Sequence, residues 1–349
     1  MIKTDASVSR GWLNREAGFT FPGEYYFDSG KRLETDSAVR QYLMKRFGSD
    51  RPGFRESNLV QPEFEQPGDR LIGGIQPNLI LGMLLGAELT APPHLDPDLD
   101  RIPLEGTPDT ADLPDPESLT DHPLIKQWTE ELKRAGESGL PVIPPFFWDR
   151  SGRATIHGIV TTSLKLAGEG VMLDFVLQPE KVLAFHDWIT RAWIVLIRHF
   201  ADLVSFPVTA LHVGECSGTM VSESDYRQFI LPYLSRLSEE IAPLRLHHCG
   251  NCDHLLPAIA EIPRLAVLDT GSGASVAKIR EILGADREIH IAPPVEMLLE
   301  GASEEALAAW CRQTEEENRK GPMMIAMHIE PGYSLDLCLK VLNRSFSGT

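Results

Sequence analysis

From residue 142 onward, short apolar runs alternate with longer runs that carry apolar residues at helical spacing. The apolar runs predict strands at 142–147, 158–163, 210–215, 244–249, 265–269, 288–292 and 323–329. The intervening runs predict helices at 179–203, 222–242, 252–262, 274–283, 304–318 and 335–342. Repeated strand–helix alternation is typical of a parallel sheet. Seven strands, with one early strand that the pattern does not locate, would close a (β/α)8 TIM barrel, and an open doubly wound sheet is the alternative.

The N-terminal part of the chain has a less regular pattern. Aromatic and turn-forming residues at 12–26 predict that residues 1–60 form an arm packed on the barrel, with a helix at 37–47 and irregular structure at 57–66. Residues 94–123 are rich in Pro, Asp and Thr, and a regular pattern resumes directly after them. We therefore predict a surface excursion rather than a linker, and one domain in which the barrel occupies residues 61–349.

Charge and cysteine content exclude several classes of function. The 349 residues carry a net charge of -17, which argues against nucleic acid and anionic membranes as partners because both favour basic surfaces. Five cysteines, an odd and sparse number, give no disulfide framework. The first residues lack the apolar core of a signal peptide. These features predict a cytoplasmic protein with reduced cysteines.

A cluster of metal-ligating residue types follows the predicted strand at 244–249. Alternate residues of a strand share a face, so His247 and Cys249 point one way and His248 points the other way. A His-x-Cys pair at the end of a strand can supply two corners of a tetrahedral zinc site. The alternative interpretation is a buried histidine and a small apolar cysteine that only pack.

Other reactive residues stand at the ends of the late strands, where the catalytic groups of a TIM barrel lie. We predict that His247, Cys249 and His328 bind zinc, with Asp269 or Glu215 as a fourth ligand, and that Glu215, Asp269 and His328 are the catalytic residues. Three protein ligands and one open position are typical of catalytic zinc, which can hold a thiol as its thiolate. Alternatively, Asp269 caps a helix and His328 is a core histidine.

Several segments resemble the uroporphyrinogen decarboxylase superfamily, including its methylcobamide:thiol methyltransferase branch. The resemblance runs from Trp12 to the C-terminus, and its most specific match is the zinc motif of the methyltransferases at 247–251. The other similar segments are 15–25, 158–163 and 222–233. The superfamily has a (β/α)8 barrel, which agrees with the strand–helix alternation.

The sequence departs from the family pattern at two places. The decarboxylases hold porphyrin carboxylates with two N-terminal arginines, but here Arg15 is present and Phe19 replaces the second arginine. This change argues against porphyrin decarboxylation, because a bidentate carboxylate donor is lost. The methyltransferases take their third zinc ligand from a cysteine near the end of the chain. The matching stretch, 327–333, offers His328 or Tyr333, and we favour His328 because imidazole binds zinc well.

The resemblance implies methyl transfer between a corrinoid (a cobamide) and a zinc-bound thiol or similar small-molecule acceptor. The chain has no Asp-x-His-x-x-Gly motif, so a partner corrinoid protein is expected to carry the corrinoid, and the family often forms homodimers. The residues that we predict to contact the cofactor are Arg15, His212, Ser217 and Tyr333. Two other functions stay open: a metal-independent decarboxylase or lyase that uses Arg15, Asp269 and His328, and a binding protein on the same barrel.

Overall fold

Strands and helices alternate along most of the chain in a computed structural model, which describes residues 2–49, 53–54, 68–205 and 207–346. The predicted irregular segment at 57–66 lies outside the described residues. The strands, numbered in chain order, are β1 (Ile2–Val8), β2 (Gly53–Phe54), β3 (Arg70–Leu71), β4 (Leu89–Thr90), β5 (Asp98–Leu99), β6 (Val142–Ile143), β7 (Arg153–His157), β8 (Ala210–Gly214), β9 (Leu244–His248), β10 (Leu265–Thr270), β11 (Glu288–Ile291) and β12 (Met323–Ile329). The helices are α1 (Arg10–Ala17), α2 (Gly23–Phe27), α3 (Ser29–Phe47), α4 (Pro77–Leu84), α5 (Pro123–Glu137), α6 (Ile159–Ala167), α7 (Gly170–Leu177), α8 (Pro179–Val204), α9 (Glu223–Phe229), α10 (Leu231–Glu240), α11 (Leu256–Ile259), α12 (Val276–Leu283), α13 (Glu304–Glu317) and α14 (Leu335–Asn343).

Eight of the strands form one sheet in the order β2-β1-β12-β11-β10-β9-β8-β7. Every neighbouring pair in this sheet is parallel, which confirms the prediction of a parallel α/β fold. β3 and β6 form a separate parallel pair, and β4 and β5 an antiparallel pair. No pairing joins the edge strands β2 and β7 within the described ranges, so the structure supports the sheet and its order without showing a closed barrel.

Three strands of the sheet, β1, β2 and β7, were not predicted from the apolar pattern. β1 lies at the N-terminus, inside the segment predicted as an arm, and pairs with β12 along its whole length. It is the early strand that the pattern did not locate. β7 pairs with β8 and replaces the strand predicted at 158–163. Polar residues interrupt the apolar residues of β1 (Ile-Lys-Thr-Asp-Ala-Ser-Val) and β7 (Arg-Ala-Thr-Ile-His), so neither is a continuous apolar run.

Residues 158–163 begin helix α6, so the strand predicted there is wrong. The β-branched residues that favoured a strand are accommodated because Glu215 accepts hydrogen bonds at the first turn of the helix. Its carboxylate lies 3.2 Å from the backbone nitrogen of Val160 and 3.0 Å from that of Thr161. These amides have no partner within the helix, so a remote carboxylate stabilises its N-terminus.

The main apolar core lies between the sheet and its surrounding helices. Helix α8 contributes buried Phe185, Trp193 and Phe200, in agreement with the helix predicted at 179–203. Met324 and Ala326 of β12 form a separate small apolar cluster. The predicted excursion at 94–123 contacts α8, where Trp188 Nε1 donates to the carbonyl of Pro114 at 2.7 Å. None of the helices in the described ranges has the length and apolar character needed to span a membrane.

Candidate metal centre

The inner face of the sheet carries a row of polar residues that the strand register aligns. His157 of β7 lies opposite Gly214 of β8, which lies opposite His247 of β9. His247 in turn pairs with Asp269 of β10, and Asp269 pairs with His290 of β11. Because residues in register on neighbouring strands share a face, these side chains point to the same side of the sheet. His247 therefore lies in the middle of a polar row, beside a glycine that leaves space next to its ring.

Three potential metal ligands meet just beyond the ends of β8 and β9. One ligand atom each from Cys216, His247 and Cys249 lies within 4.8 Å of the other two. His247 Nε2 is 3.2 Å from Cys249 Sγ, and the two Sγ atoms of Cys249 and Cys216 are 2.8 Å apart. All three side chains are at least partly accessible, with Cys249 the most exposed. One imidazole nitrogen and two sulfurs are a donor set that suits zinc.

A buried ionic network orients the His247 ring from behind. Asp269 Oδ2 lies 3.1 Å from His247 Nδ1 and 3.2 Å from Arg245 Nη2. Arg245 Nη2 also lies 2.9 Å from His290 Nδ1, and His290 Nε2 lies 3.0 Å from Glu288 Oε1. Because a carboxylate only accepts hydrogen bonds, Asp269 favours hydrogen on Nδ1, both in the imidazolium and in a neutral ring that binds metal through Nε2. Nε2 of His247 is then left to face the two sulfurs, as in carboxylate–histidine–zinc arrangements.

Hydrogen bonds, burial and neighbouring charges shift the pKa values of the three cluster residues in different directions. The hydrogen bond from Cys216 and the adjacent His247 lower the pKa of Cys249 to about 5, against the effect of burial. Burial disfavours charge on His247, but Asp269 and Cys249 raise its pKa to about 10. The hydrogen bond to Cys249, together with burial, raises the pKa of Cys216. Cys249 is thus a thiolate near neutral pH, and a soft anionic donor faces the site.

The other ligand types of the 244–254 segment point elsewhere. His248 is buried on the opposite face, where its Nδ1 donates to the carbonyl of Glu215 at 2.7 Å and its Nε2 lies 3.4 Å from Tyr226 Oη. His254 Nε2 donates to the carbonyl of Val221 at 3.0 Å. Cys252 is buried, with its Sγ 3.4 Å from Thr270 Oγ1. All three side chains therefore make their contacts away from the cluster, with backbone carbonyls or with side-chain hydroxyls.

The structure places the predicted third ligand, His328, outside the cluster. Two strands separate β12 from β9, and Met324, not His328, is the β12 residue in register with His290. His328 lies four residues further along β12, where its Nδ1 is 2.7 Å from Ser7 Oγ and its Nε2 is 3.7 Å from Glu330. Burial lowers its pKa to about 4. The third donor at the cluster is the sulfur of Cys216.

The structure also places Glu215 in a different role from the predicted one. Its buried carboxylate caps α6 through Val160 and Thr161, so it is engaged away from the metal cluster. Burial raises its pKa to about 7, although the hydrogen bonds from Thr161 and Val160 favour its charged form. Asp269 keeps a place at the site, but as the partner of His247 and Arg245 rather than as a helix cap.

The four predicted cofactor contacts are dispersed. His212 packs against Trp148 with ring centroids 4.5 Å apart and a 40° tilt, and its ring lies 6.0 Å from that of His247. Ser217 follows Cys216, and its backbone nitrogen donates to Thr161 Oγ1 at 3.0 Å. Arg15 is half exposed and lies 3.7 Å from Glu300. Tyr333 is partly buried and bridges to Leu299. Of these four residues, His212 is the one whose ring lies against the ring of a candidate ligand.

Sequence reasoning missed Cys216, Arg245 and His290. Gly214 ends β8 and pairs with His247 of β9. Cys216 and Cys249 each lie two residues after this pair, so they occupy equivalent positions on neighbouring strands. That equivalent position at the end of a neighbouring strand was the available signal. Arg245 gave no comparable signal. His290 stands in a predicted strand with a reactive end, but its contact with Arg245, like that of Arg245 with Asp269, depends on the strand order.

Comparison with known proteins adds a family to this geometry. The sequence profile of the family described as uroporphyrinogen decarboxylase (URO-D) matches residues 78–320. The chain belongs to the uroporphyrinogen decarboxylase family. The family assignment confirms the resemblance identified from the sequence motifs. It covers the strands that carry all three residues of the cluster.

Two methyltransferases are similar to this member of the uroporphyrinogen decarboxylase family. A methylated-thiol–coenzyme M methyltransferase of Methanosarcina mazei is 28% identical over 169 residues, or 46% of this chain and 43% of the relative. The match thus spans less than half of the length of that relative. A solved methyltransferase structure from Methanosarcina mazei covers 98% of this chain and 92% of its own, with a TM-score of 0.63 and 15% identity. This second likeness shows the fold.

Proposed function

We propose that this protein is a metal-dependent methyltransferase that moves a methyl group between a corrinoid and a thiol. The observation that carries the proposal is the meeting of Cys216, His247 and Cys249, with Asp269 behind the His247 ring. The similarity to a methyltransferase named for a methylated thiol and coenzyme M supports the class of reaction. The closed (β/α)8 barrel, a cytoplasmic location and a homodimer stay predictions.

The donor set fits zinc. Cys216, His247 and Cys249 would hold the ion and leave a fourth position for a substrate, as catalytic zinc sites do. Zinc bound there would supply Lewis acidity that keeps an acceptor thiol deprotonated near neutral pH. The partial exposure of Cys249 leaves this side of the cluster accessible to a substrate.

The residues around the cluster position its ligands and shape the space beside it. Asp269 holds the His247 ring through Nδ1, and Arg245 holds Asp269, so the imidazole keeps one orientation. A Cβ added at Gly214 would meet no atom closer than 3.9 Å, which leaves room beside His247. His212 and its Trp148 partner border the same side, and they would contact an acceptor that enters this space.

A corrinoid protein would be the partner. The chain itself lacks the Asp-x-His-x-x-Gly motif, so the corrinoid would reach the exposed side of the cluster from another protein. The net charge of -17 favours a docking surface on the partner that is less acidic than this chain. Free methylcobalamin can replace the loaded partner in a first assay.

The test measures zinc and methyl transfer on the same set of variants. Protein purified from zinc-replete cells is expected to contain about one zinc per chain, and Cys216→Ala or Cys249→Ala is expected to lose it. His328→Ala, which changes the ligand predicted from sequence, is the matched control and should keep its zinc. Methyl transfer from methylcobalamin to coenzyme M should follow zinc content across the four proteins.

Two results would overturn the proposal. Wild-type protein without zinc from a zinc-replete preparation would remove the metal-dependent chemistry. Loss of zinc in His328→Ala with retention in Cys216→Ala would show that the ligand set is different. Decarboxylation of a carboxylated substrate that continues after a chelator has removed metal would instead support the decarboxylase alternative.

A further inference from the structure

We propose that Cys216 and Cys249 form a redox-sensitive site, in which a hydroperoxide converts the two thiols into a disulfide that excludes metal. Formation of the disulfide depends only on the geometry of the two cysteines. The exclusion of metal rests on the proposed function, because it requires that these cysteines are ligands.

The two sulfurs are already adjacent. Their Sγ atoms are 2.8 Å apart, and the residues stand at equivalent positions beyond the ends of two hydrogen-bonded parallel strands, β8 and β9. A disulfide S–S bond is about 2.05 Å long, so the two sulfurs need to approach each other by less than about 1 Å. A disulfide between Cys216 and Cys249 therefore needs local adjustment only.

Differences in exposure favour oxidation of this pair over the other cysteines of the chain. Cys249 is exposed and Cys216 is partly exposed, whereas Cys252, Cys311 and Cys338 are buried. Cys252 is the only other cysteine close in sequence to the pair, and its sulfur is turned towards Thr270. An oxidant from solvent therefore reaches Cys249 first.

The reaction balances with a hydroperoxide as the oxidant. The Cys249 sulfur attacks the terminal peroxide oxygen, the O–O bond breaks, and a sulfenic acid and an alcohol (water, for hydrogen peroxide) form. The Cys216 sulfur then attacks the Cys249 sulfur, the S–O bond breaks, and water leaves with the thiol proton. The two sulfurs lose two electrons in total, and these electrons reduce the peroxide.

Oxidation would remove two of the three donors at the metal centre. A disulfide sulfur carries no negative charge and is a poor zinc ligand, so His247 alone would be left to hold the ion. Metal would then dissociate, and reduction of the disulfide would restore the site. The two sulfurs can therefore bind metal or form the disulfide, but they cannot do both at once.

The test maps the disulfide by mass spectrometry after hydrogen peroxide treatment of the full chain. Trypsin separates Cys216, in residues 199–227, from Cys249, in residues 246–264. A linked pair of these peptides is expected, with loss of two of the five titratable thiols. Because the second peptide also contains Cys252, the link must persist in Cys252→Ser and disappear in Cys249→Ser. A link that survives in Cys249→Ser, or no link at all, overturns the proposal.

A second measurement separates this inference from the proposed function. Zinc-loaded protein is treated with hydrogen peroxide, and released zinc is followed with a chromogenic chelator while linked peptide is quantified. Release of zinc in proportion to the disulfide, reversed by dithiothreitol, is the expected result. A disulfide in protein that never binds zinc would contradict the proposed function alone. Zinc binding without peroxide-dependent disulfide would contradict the redox site alone.

Discussion

The orientation of one imidazole ring decides whether the cluster can bind metal. His247 has two nitrogens, and Asp269 faces one of them at 3.1 Å while Cys249 faces the other at 3.2 Å. Asp269 is itself buried beside Arg245, so its position depends on a second charged residue. Burial disfavours the carboxylate, but the neighbouring His247 and Arg245 hold the pKa of Asp269 well below its usual range. Asp269 therefore stays ionised and keeps its ion pair with His247.

Asp269→Asn tests this orienting role. The amide keeps the size of the side chain but removes its charge, so the preference for hydrogen on His247 Nδ1 weakens. We expect zinc affinity to fall by about 10- to 100-fold, as for other changes behind a metal-bound histidine. Competition with a chromophoric chelator measures the affinity. Since the Arg245 guanidinium loses its buried anionic partner Asp269, the free energy of unfolding should also fall by about 3 kcal/mol.

Asp112→Asn is the control for this substitution, because Asp112 is exposed and far in sequence from the cluster and its ionic network. It should leave both zinc affinity and stability unchanged. Equal zinc affinity in Asp269→Asn and wild type would show that the ligands are held without the carboxylate. A loss of stability with no loss of zinc affinity would give Asp269 a structural role only.

Among the elements, the segment after β10 fixes the position of a ligand-bearing loop. Gly271 lies against the backbone of Cys249, and its nitrogen donates to the carbonyl of His248 at 2.9 Å. A Cβ at Gly271 would overlap the carbonyl oxygen of Cys249, and a backbone group cannot rotate away as a flexible side chain can. A glycine at the end of one strand thus permits the close approach of the neighbouring loop.

Gly271→Ala should therefore displace Cys249 and weaken metal binding. We expect zinc affinity to fall by about tenfold, which corresponds to about 1.4 kcal/mol and lies within the range for overpacked sites. The control is Gly273→Ala, where a new Cβ would lie 3.2 Å from Asn251 Cβ and could be accommodated by a small shift. Equal zinc affinities in the two variants would contradict this account of Gly271.

The contact between α8 and α9 makes a pH-dependent contribution to the free energy of unfolding. His186 of α8 is fully buried, and its Nδ1 donates to the carbonyl of Phe229 at 2.8 Å. Burial lowers its pKa to about 4, although the hydrogen bond to Phe229 favours the charged form. Between the unfolded value of about 6.5 and this value, the unfolded chain binds more protons than the folded chain. The free energy of unfolding therefore decreases as the pH falls through this interval.

His186→Asn should remove this dependence, because an amide can donate to Phe229 but does not titrate. Between pH 7.5 and pH 5.5, the wild type should lose about 1.4 kcal/mol more than the variant. Denaturant unfolding at the two pH values measures the difference. The control is His94→Asn at an exposed position, which should change with pH as the wild type does. The same pH dependence in His186→Asn and wild type would contradict the assignment.

The sequence predicted the elements whose buried residues form apolar runs and missed those that face the polar side of the sheet. β8 to β12 were located because their outward residues contact the core and their ends carry reactive groups. β1 and β7 place Lys3, Asp5, Arg153 or His157 at alternate positions, and this alternation was not recognised. The residues of the site were likewise predicted only in part. His247 and Cys249 are local in sequence, but Cys216 is brought to them by strand order.

The error at 158–163 has a different cause. Ile159, Val160, Thr161 and Thr162 have high strand propensity, and a local pattern gives no sign of a distant cap. Glu215, more than fifty residues away in the chain, satisfies the helix N-terminus that this segment forms. Tertiary contacts can override propensity in this way, and a single sequence does not reveal them.

For the whole molecule, the sheet separates an apolar outer layer from a polar inner face. The core lies between the sheet and the helices, whereas the inner row contains His157, His247, Asp269 and His290. The N-terminal strand takes part in this division, because β1 lies between β2 and β12 rather than at an edge. Residues that the sequence pattern placed in an arm thus complete the layer on which the site is built.

Val8 provides the last prediction, because it belongs to β1 and is fully buried opposite Ile329 of β12. If β1 is an interior strand, Val8→Ala should lower the free energy of unfolding by about 2 kcal/mol, through lost burial and a cavity that cannot close. Val176→Ala is the matched control at an 82% exposed position on α7, and it should change stability by less than about 0.5 kcal/mol. Denaturant unfolding of both variants gives the two values. Equally small changes in the free energy of unfolding for the two variants would mean that the N-terminal residues pack as a peripheral arm. In that case β12, and not β1, would be the outermost strand that contributes to the polar inner face.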